Sequence, residues 1–134
     1  TNADIIQYRL TQMPKWQEKR NEIAGIYTKE LKYDVICQNV PVVLEHNFHK
    51  FVIRFEDKEQ RKRVKDGLKA IGLNASIHYE KPLSENSLYI TEHHRKDNCT
   101  NSRIASDTVM SLPIHAWLTD EEIDKICNTI LMMT

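Results

Sequence analysis

Along the first thirty-two residues the apolar side chains Ile6, Leu10, Met13, Ile23, Tyr27 and Leu31 recur at steps of three and four or multiples of them, with Lys, Arg, Glu and Gln between. This spacing predicts one long amphipathic helix over residues 3–32, or two in line. Pro14 lies inside it, lacks a backbone N–H and crowds the preceding turn, so a kink or break is expected around residues 12–15. The period then changes. Residues 33–37 and 40–44 are short β-branched runs, and in "HKFVIRF" Phe51, Ile53 and Phe55 alternate with Lys50, Val52 and Arg54 as in a half-buried strand. Asp57 followed by Gln60 resembles a capping box, Val64, Leu68 and Ile71 form an apolar helical stripe, and Gly72 supplies the stop.

Residues 75–79 read as a strand returning from that helix. It runs parallel to the Phe51 strand if the two are neighbours joined by a right-handed crossover. Residues 102–110 read as helix, "SLPIHA" as an extended connector around Pro113, and Thr119 with Glu122 as a second capping box before Ile123, Ile126, Ile130 and Leu131. No repeat, low-complexity tract or linker interrupts the pattern. The expected architecture is one α+β domain, a small, mostly antiparallel sheet covered by helices.

Composition narrows the function classes. A chain of 134 residues with 40% hydrophobic residues can bury one core. Nineteen basic residues balance nineteen acidic ones, so no field of one sign draws the chain to nucleic acid or an anionic membrane, and neither is expected as a partner. The basic run "KEQRKRVK" has no interleaved aromatics and is expected to be a solvated helix face opposite Val64, Leu68 and Ile71. Cys37, Cys99 and Cys127 are odd in number and far apart, which argues against a disulfide scaffold or a structural metal and fits a cytoplasmic protein. Asn74-Ala75-Ser76 and Asn98-Cys99-Thr100 match the glycosylation acceptor, a pattern short enough to arise by chance. No apolar run approaches the roughly 20 residues a bilayer-spanning helix needs. The chain opens without Met, directly in helical sequence, and the gene product is expected to start elsewhere.

Candidate chemistry is sparse. In "GLNASIHYEKPL" an ionisable ring, His78, stands beside a phenol, Tyr79, just before Pro82 stops the run. On a strand the two point to opposite faces, so at most one faces the core; the bland reading is that Tyr79 packs and His78 is solvated. His46 with His49, and His93 with His94, have no carboxylate or Cys at metal-site spacing and are expected to be solvated. There is no Gly-rich phosphate loop, GxSxG or HExxH, so the residues alone compose no complete active site.

Taken in order, "WQEKRNEIAGIYTKEL", "HNFHKFVIRF", "RKRVKDGLKAIGLNASIHYEKPL" and "SLPIHAWLTDEEIDKIC" resemble the C-terminal part of the DegT/DnrJ/EryC1/StrS aminotransferases over essentially the whole chain. These are pyridoxal-phosphate enzymes of fold type I that aminate keto sugar nucleotides. The resemblance implies that residues 1–32 are a connecting helix leading from a large cofactor domain, that 33–134 are the small α+β domain, and that the large domain is absent from this chain. It further implies pyridoxal phosphate in the full-length enzyme, held there as a Schiff base by a large-domain lysine. None of the twelve lysines here sits in a matching motif, so no catalytic or cofactor-binding residue is expected in this chain and the fragment alone should be inactive.

His78 and Tyr79 are similar to the family's "HYP" loop at the mouth of the active site, which implies that they bind the sugar nucleotide. Glu80 and Ser84 stand where family members usually carry Pro and often carry His, and Cys99 and Ser102 where Pro and Glu are common. The resemblance also implies glutamate as amino donor and a homodimer in full-length form. A dehydratase relative lacking the cofactor lysine, and a free-standing binding or interaction domain, remain as alternatives.

Overall fold

The computed structural model describes residues 1–41, 43–87 and 98–134. Helix α1 (Asn2–Leu31) leads into the two-residue strand β1 (Ile36–Cys37). Strand β2 (Phe51–Arg54), helix α2 (Lys58–Ala70), a 3-10 turn (Leu83–Glu85), helix α3 (Thr100–Thr108), strand β3 (Val109–Leu112) and helix α4 (Asp120–Met133) follow.

Local chemistry accounts for the helix ends. The Asp57 carboxylate accepts the Gln60 N–H at 2.7 Å, while the Gln60 side chain accepts the N–H of Glu56, one residue outside the cap. At the other end of α2, Gly72 takes φ +80°, its N–H donates to Lys69 O at 3.0 Å, and Leu73 N–H reaches back to Leu68 O at 2.9 Å. That pair of bonds is the Schellman stop, and glycine meets the left-handed conformation without a Cβ penalty. Thr119 and Glu122 cap α4 reciprocally, with the Glu122 carboxylate accepting Thr119 N–H at 2.9 Å and the Thr119 hydroxyl oxygen accepting Glu122 N–H at 3.2 Å.

The sheet has the order β1-β2-β3, antiparallel throughout, in the register Cys37↔Ile53, Phe51↔Leu112 and Val52↔Ser111. On the far edge of β3, Ser76 forms an antiparallel bridge with Ser111. The segment after α2 therefore runs in the same direction as β2 but with β3 between them. The expected strand over 75–79 reduces to that single bridge, and it is not a neighbour of β2.

Several other expectations need correction. Residues 109–110, read as the end of a helix, belong to β3: the α3 helix stops at Thr108 and ladder bonds to β2 take over, beginning with Phe55 N–H to Thr108 O at 3.0 Å. Residues 33–35 form a turn, since the N–H groups of Asp34 and Val35 return to Leu31 O. The described part of 40–44 is no strand. Pro41 has no N–H to offer a ladder, and Leu44 N–H turns back onto Pro41 O at 2.9 Å. Helix α1 runs unbroken through Pro14, where every neighbouring side chain is at least partly exposed and water can serve the freed carbonyl.

One core lies on the sheet face that carries Phe51, Ile53, Met110 and Leu112, joined by Ile23, Tyr27 and Leu31 of α1, Val64 and Leu68 of α2, and Ile123, Ile126 and Ile130 of α4. Tyr27 is fully buried, packs against Phe51 with tilted rings 5.3 Å apart and donates its hydroxyl to Pro113 O at 2.8 Å, which ties α1 to the chain leaving β3. Ile6, Leu10, Met13, Ile71 and Leu131, all expected on apolar stripes, are exposed. Arg61, expected on the solvated face, is buried because its guanidinium donates to the carbonyls of Ser106 and Val109 at the α3–β3 junction.

Two stability outcomes follow from this burial. Leu68→Ala should lower the unfolding free energy by about 2 to 5 kcal/mol, as for a fully buried leucine. Lys62→Ala, on the exposed face, should stay within about 0.5 kcal/mol even though Lys62 lies 3.4 Å from Asp66. Urea melts giving equal losses would overturn the helix phase. Burial also pushes the Cys127 thiol up from 9.0 to about 11. Below pH 9 the thiol is neutral folded and unfolded; between pH 9 and 11 the unfolded chain releases the proton first, so stability is lost on raising the pH. The melting-temperature gap between wild type and Cys127→Ala should narrow across that interval, and a constant gap would exclude the effect.

Candidate functional site

The His78–Tyr79 pair sits just past the Ser76–Ser111 bridge, on a loop held at both ends. At its start Ser76 and Ser111 exchange two backbone hydrogen bonds, 3.0 Å and 2.8 Å. At its end Pro82 (φ −65°) leads into the 3-10 turn, whose Glu85 carboxylate pairs with the Arg103 guanidinium of α3 at 2.7 Å. Side chains of bridged residues share a sheet face and alternate along a strand. Ala75 accordingly turns into the core and Ile77 is half-buried, while Ser76 and His78 lie on the opposite face with Ser111.

His78 is exposed as a residue, yet its Nδ1 lies 3.2 Å from the Ser111 hydroxyl oxygen. Tyr79 does not pack, contrary to the bland reading: it is 75% exposed, its ring perpendicular to that of His78 at 6.0 Å. The peptide between them is cis. One anchored imidazole and one free phenol thus stand side by side at the surface. Both carry hydrogen-bond donors of the kind that meets sugar hydroxyls and phosphate oxygens.

Ser111 is the residue that the sequence reading missed, taken as part of an extended connector. The available signal was a lone hydroxyl inside the apolar run "VMSLPI", where every other strand position is aliphatic or Met.

The remaining candidates resolve differently. His46 is half-buried rather than solvated: its Nδ1 accepts Phe48 N–H at 3.0 Å and its Nε2 lies 3.1 Å from the Gln38 amide, so it builds the loop before β2. His49 is exposed, and His93 and His94 lie outside the described residues. No group of three or more His, Cys, Asp or Glu side chains able to hold a metal occurs among the described residues. The lysine ridge of α2 borders Asn74, Ile77 and Glu80 in an open groove of about 330 Å³, and Lys58 and Lys62 are matched by Asp107 and Asp66.

The described lysines do not fit a covalent pyridoxal-phosphate site. None is buried, and Glu22 beside Lys19 and Glu121 beside Lys125 hold those amines charged, the reverse of what a nucleophilic amine requires. Among the described residues no helix is long and apolar enough to cross a membrane.

A family model for the DegT/DnrJ/EryC1/StrS aminotransferases matches residues 1–131. The chain is 26% identical over 129 residues to a UDP-N-acetyl-3-dehydro-alpha-D-glucosamine 3-aminotransferase of Acidithiobacillus ferrooxidans, covering 96% of this chain and 34% of that protein. It is 27% identical over 125 residues to a UDP-2-acetamido-2-deoxy-3-oxo-D-glucuronate aminotransferase of Pseudomonas aeruginosa, covering 88% and 33% respectively. The chain thus spans about a third of the length of the curated relatives it matches. A Streptococcus pneumoniae structure solved in a PLP-form shares the fold with a TM-score of 0.84 at 23% identity, over 95% of this chain and 33% of that one. With the family pattern spanning all but the last three residues, the chain belongs to the DegT/DnrJ/EryC1/StrS aminotransferase family.

Proposed function

We propose that this chain is the linker helix (residues 1–32) and small domain (33–134) of a cytoplasmic, homodimeric, pyridoxal-phosphate-dependent aminotransferase that moves an amino group from glutamate to a keto sugar nucleotide. The reading is carried by the exposed His78–Tyr79 pair on a doubly anchored loop, in a chain of an aminotransferase family that covers only a third of its relatives. The cofactor, bound by a large domain outside this chain, supplies the temporary store for the amino group. The task left to these residues is substrate binding. His78 donates from the ring edge facing away from Ser111 to a phosphate or sugar oxygen, and Tyr79 packs on the sugar and donates its hydroxyl. The relatives' names make a UDP-linked 3-keto sugar the first substrate to test.

Two outcomes check this reading. The purified chain, mixed with pyridoxal phosphate and reduced with borohydride, should carry no cofactor on one defined lysine by mass spectrometry; stoichiometric labelling of a single lysine would overturn the assignment. In the full-length enzyme, His78→Ala should lower kcat/KM for the keto sugar by about ten- to a hundredfold, the worth of one hydrogen bond to a charged group, while the glutamate half-reaction changes little. Single-turnover rates of the two half-reactions separate these cases, provided the melting curve is unchanged. Equal losses in both half-reactions, or none, would remove His78 from the substrate site.

A further inference from the structure

We infer that Ser111 is the positioning residue of the site: its hydroxyl donates to His78 Nδ1, holding the imidazole in the tautomer that turns an Nε2–H toward the substrate. Ser111 is buried, at 7% exposure, and among the described residues the hydrogen bond found for its hydroxyl is the one to His78 at 3.2 Å. A serine hydroxyl has a single proton. Burying that proton without an acceptor costs its full desolvation, whereas leaving an oxygen lone pair unused costs less. The O–H therefore belongs on the line to Nδ1. A neutral imidazole that accepts at Nδ1 carries its proton at Nε2, the outer pole of the ring.

The backbone makes the arrangement specific to this position. Ser111 N–H and C=O are both bonded to Ser76, which fixes the strand two residues before His78 and on the same face as it. The same residue thus sets the distance through its main chain and the ring orientation through its side chain. An alanine at 111 would keep the bridge to Ser76, which uses only backbone atoms, and would release only the imidazole. The inference rests on the reading of His78 as a substrate contact, and its first test is independent of that reading.

That test is nitrogen-15 NMR of His78 in this chain. Neutral His78 should show an unprotonated, hydrogen-bonded Nδ1 and a protonated Nε2. Ser111→Ala should shift the Nδ1 resonance toward that of a free unprotonated nitrogen, with the Ser76 amide unmoved, and Ser111→Thr should restore the wild-type value. A protonated Nδ1 in the wild type, or no shift in Ser111→Ala, would overturn the inference. The second arm is a double-mutant cycle in the full-length enzyme. Ser111→Ala should slow the keto-sugar half-reaction by about three- to tenfold, the worth of one neutral hydrogen bond. The same change should have no effect when His78 is already alanine. An equal effect in both backgrounds would sink the positioning role, whereas a normal rate for His78→Ala alone would sink the substrate reading and leave the NMR result to decide Ser111.

Discussion

The placement of β3 between β2 and the segment after α2 is the constraint on which the rest of the molecule depends. Val109–Leu112 pairs with Phe51–Arg54 along one edge and with Ser76 along the other, so a four-residue strand joins parts of the chain that are far apart in sequence. Met110 and Leu112 complete the core face. Ser111, between them, faces the other way and meets His78. The alternation of side chains across one short strand thus separates what stabilises the domain from what equips its surface.

Around that strand two polar anchors add to the apolar contacts that hold the helices. The buried Arg61 guanidinium satisfies the carbonyls of Ser106 and Val109 where α3 gives way to β3, and the Tyr27 hydroxyl satisfies Pro113 O just beyond it. The carbonyls they satisfy lie in the last turn of α3, at the first residue of β3 and just past its end, where a buried acceptor without a partner would be costly. Burial also pushes the Tyr27 phenol well above its ordinary range.

Helix α1 has a different geometry in its two halves. Thirty residues at about 1.5 Å each reach roughly 45 Å, longer than a domain of about a hundred residues is wide. Ile23, Ala24, Tyr27 and Leu31 therefore lie on the core, while Ile5, Ile6, Tyr8 and Leu10 extend past it into solvent. Trp16 marks the boundary, with its ring 5.4 Å from that of Trp117. The apolar period runs through the whole helix, but burial requires something to pack against, and among the described residues only those of its second half reach the core.

What could be read from the sequence is what is settled within about four residues of chain. The caps at Asp57 and at Thr119 with Glu122 and the stop at Gly72 are closed by near neighbours, so residue types alone specified them. His78 and Tyr79 stood out in the sequence because their likeness to a family loop is a matter of adjacent letters, whereas the exposure of Tyr79 came only with the fold. Tertiary structure decided what depends on partners dozens of residues away. Residues 109–112 follow directly on a helix and carry no marker of their own; they become a strand because β2 and Ser76 offer two edges to fill, and that pairing outweighs local propensity. Arg61 reads as one more charge in a basic run until two carbonyls 45 and 48 residues onward draw it inside. Ser111 reads as part of a connector until the loop at 76–78 is laid beside it. A hydroxyl takes its meaning from the group it faces, and only the folded chain brings His78 within 3.2 Å of it.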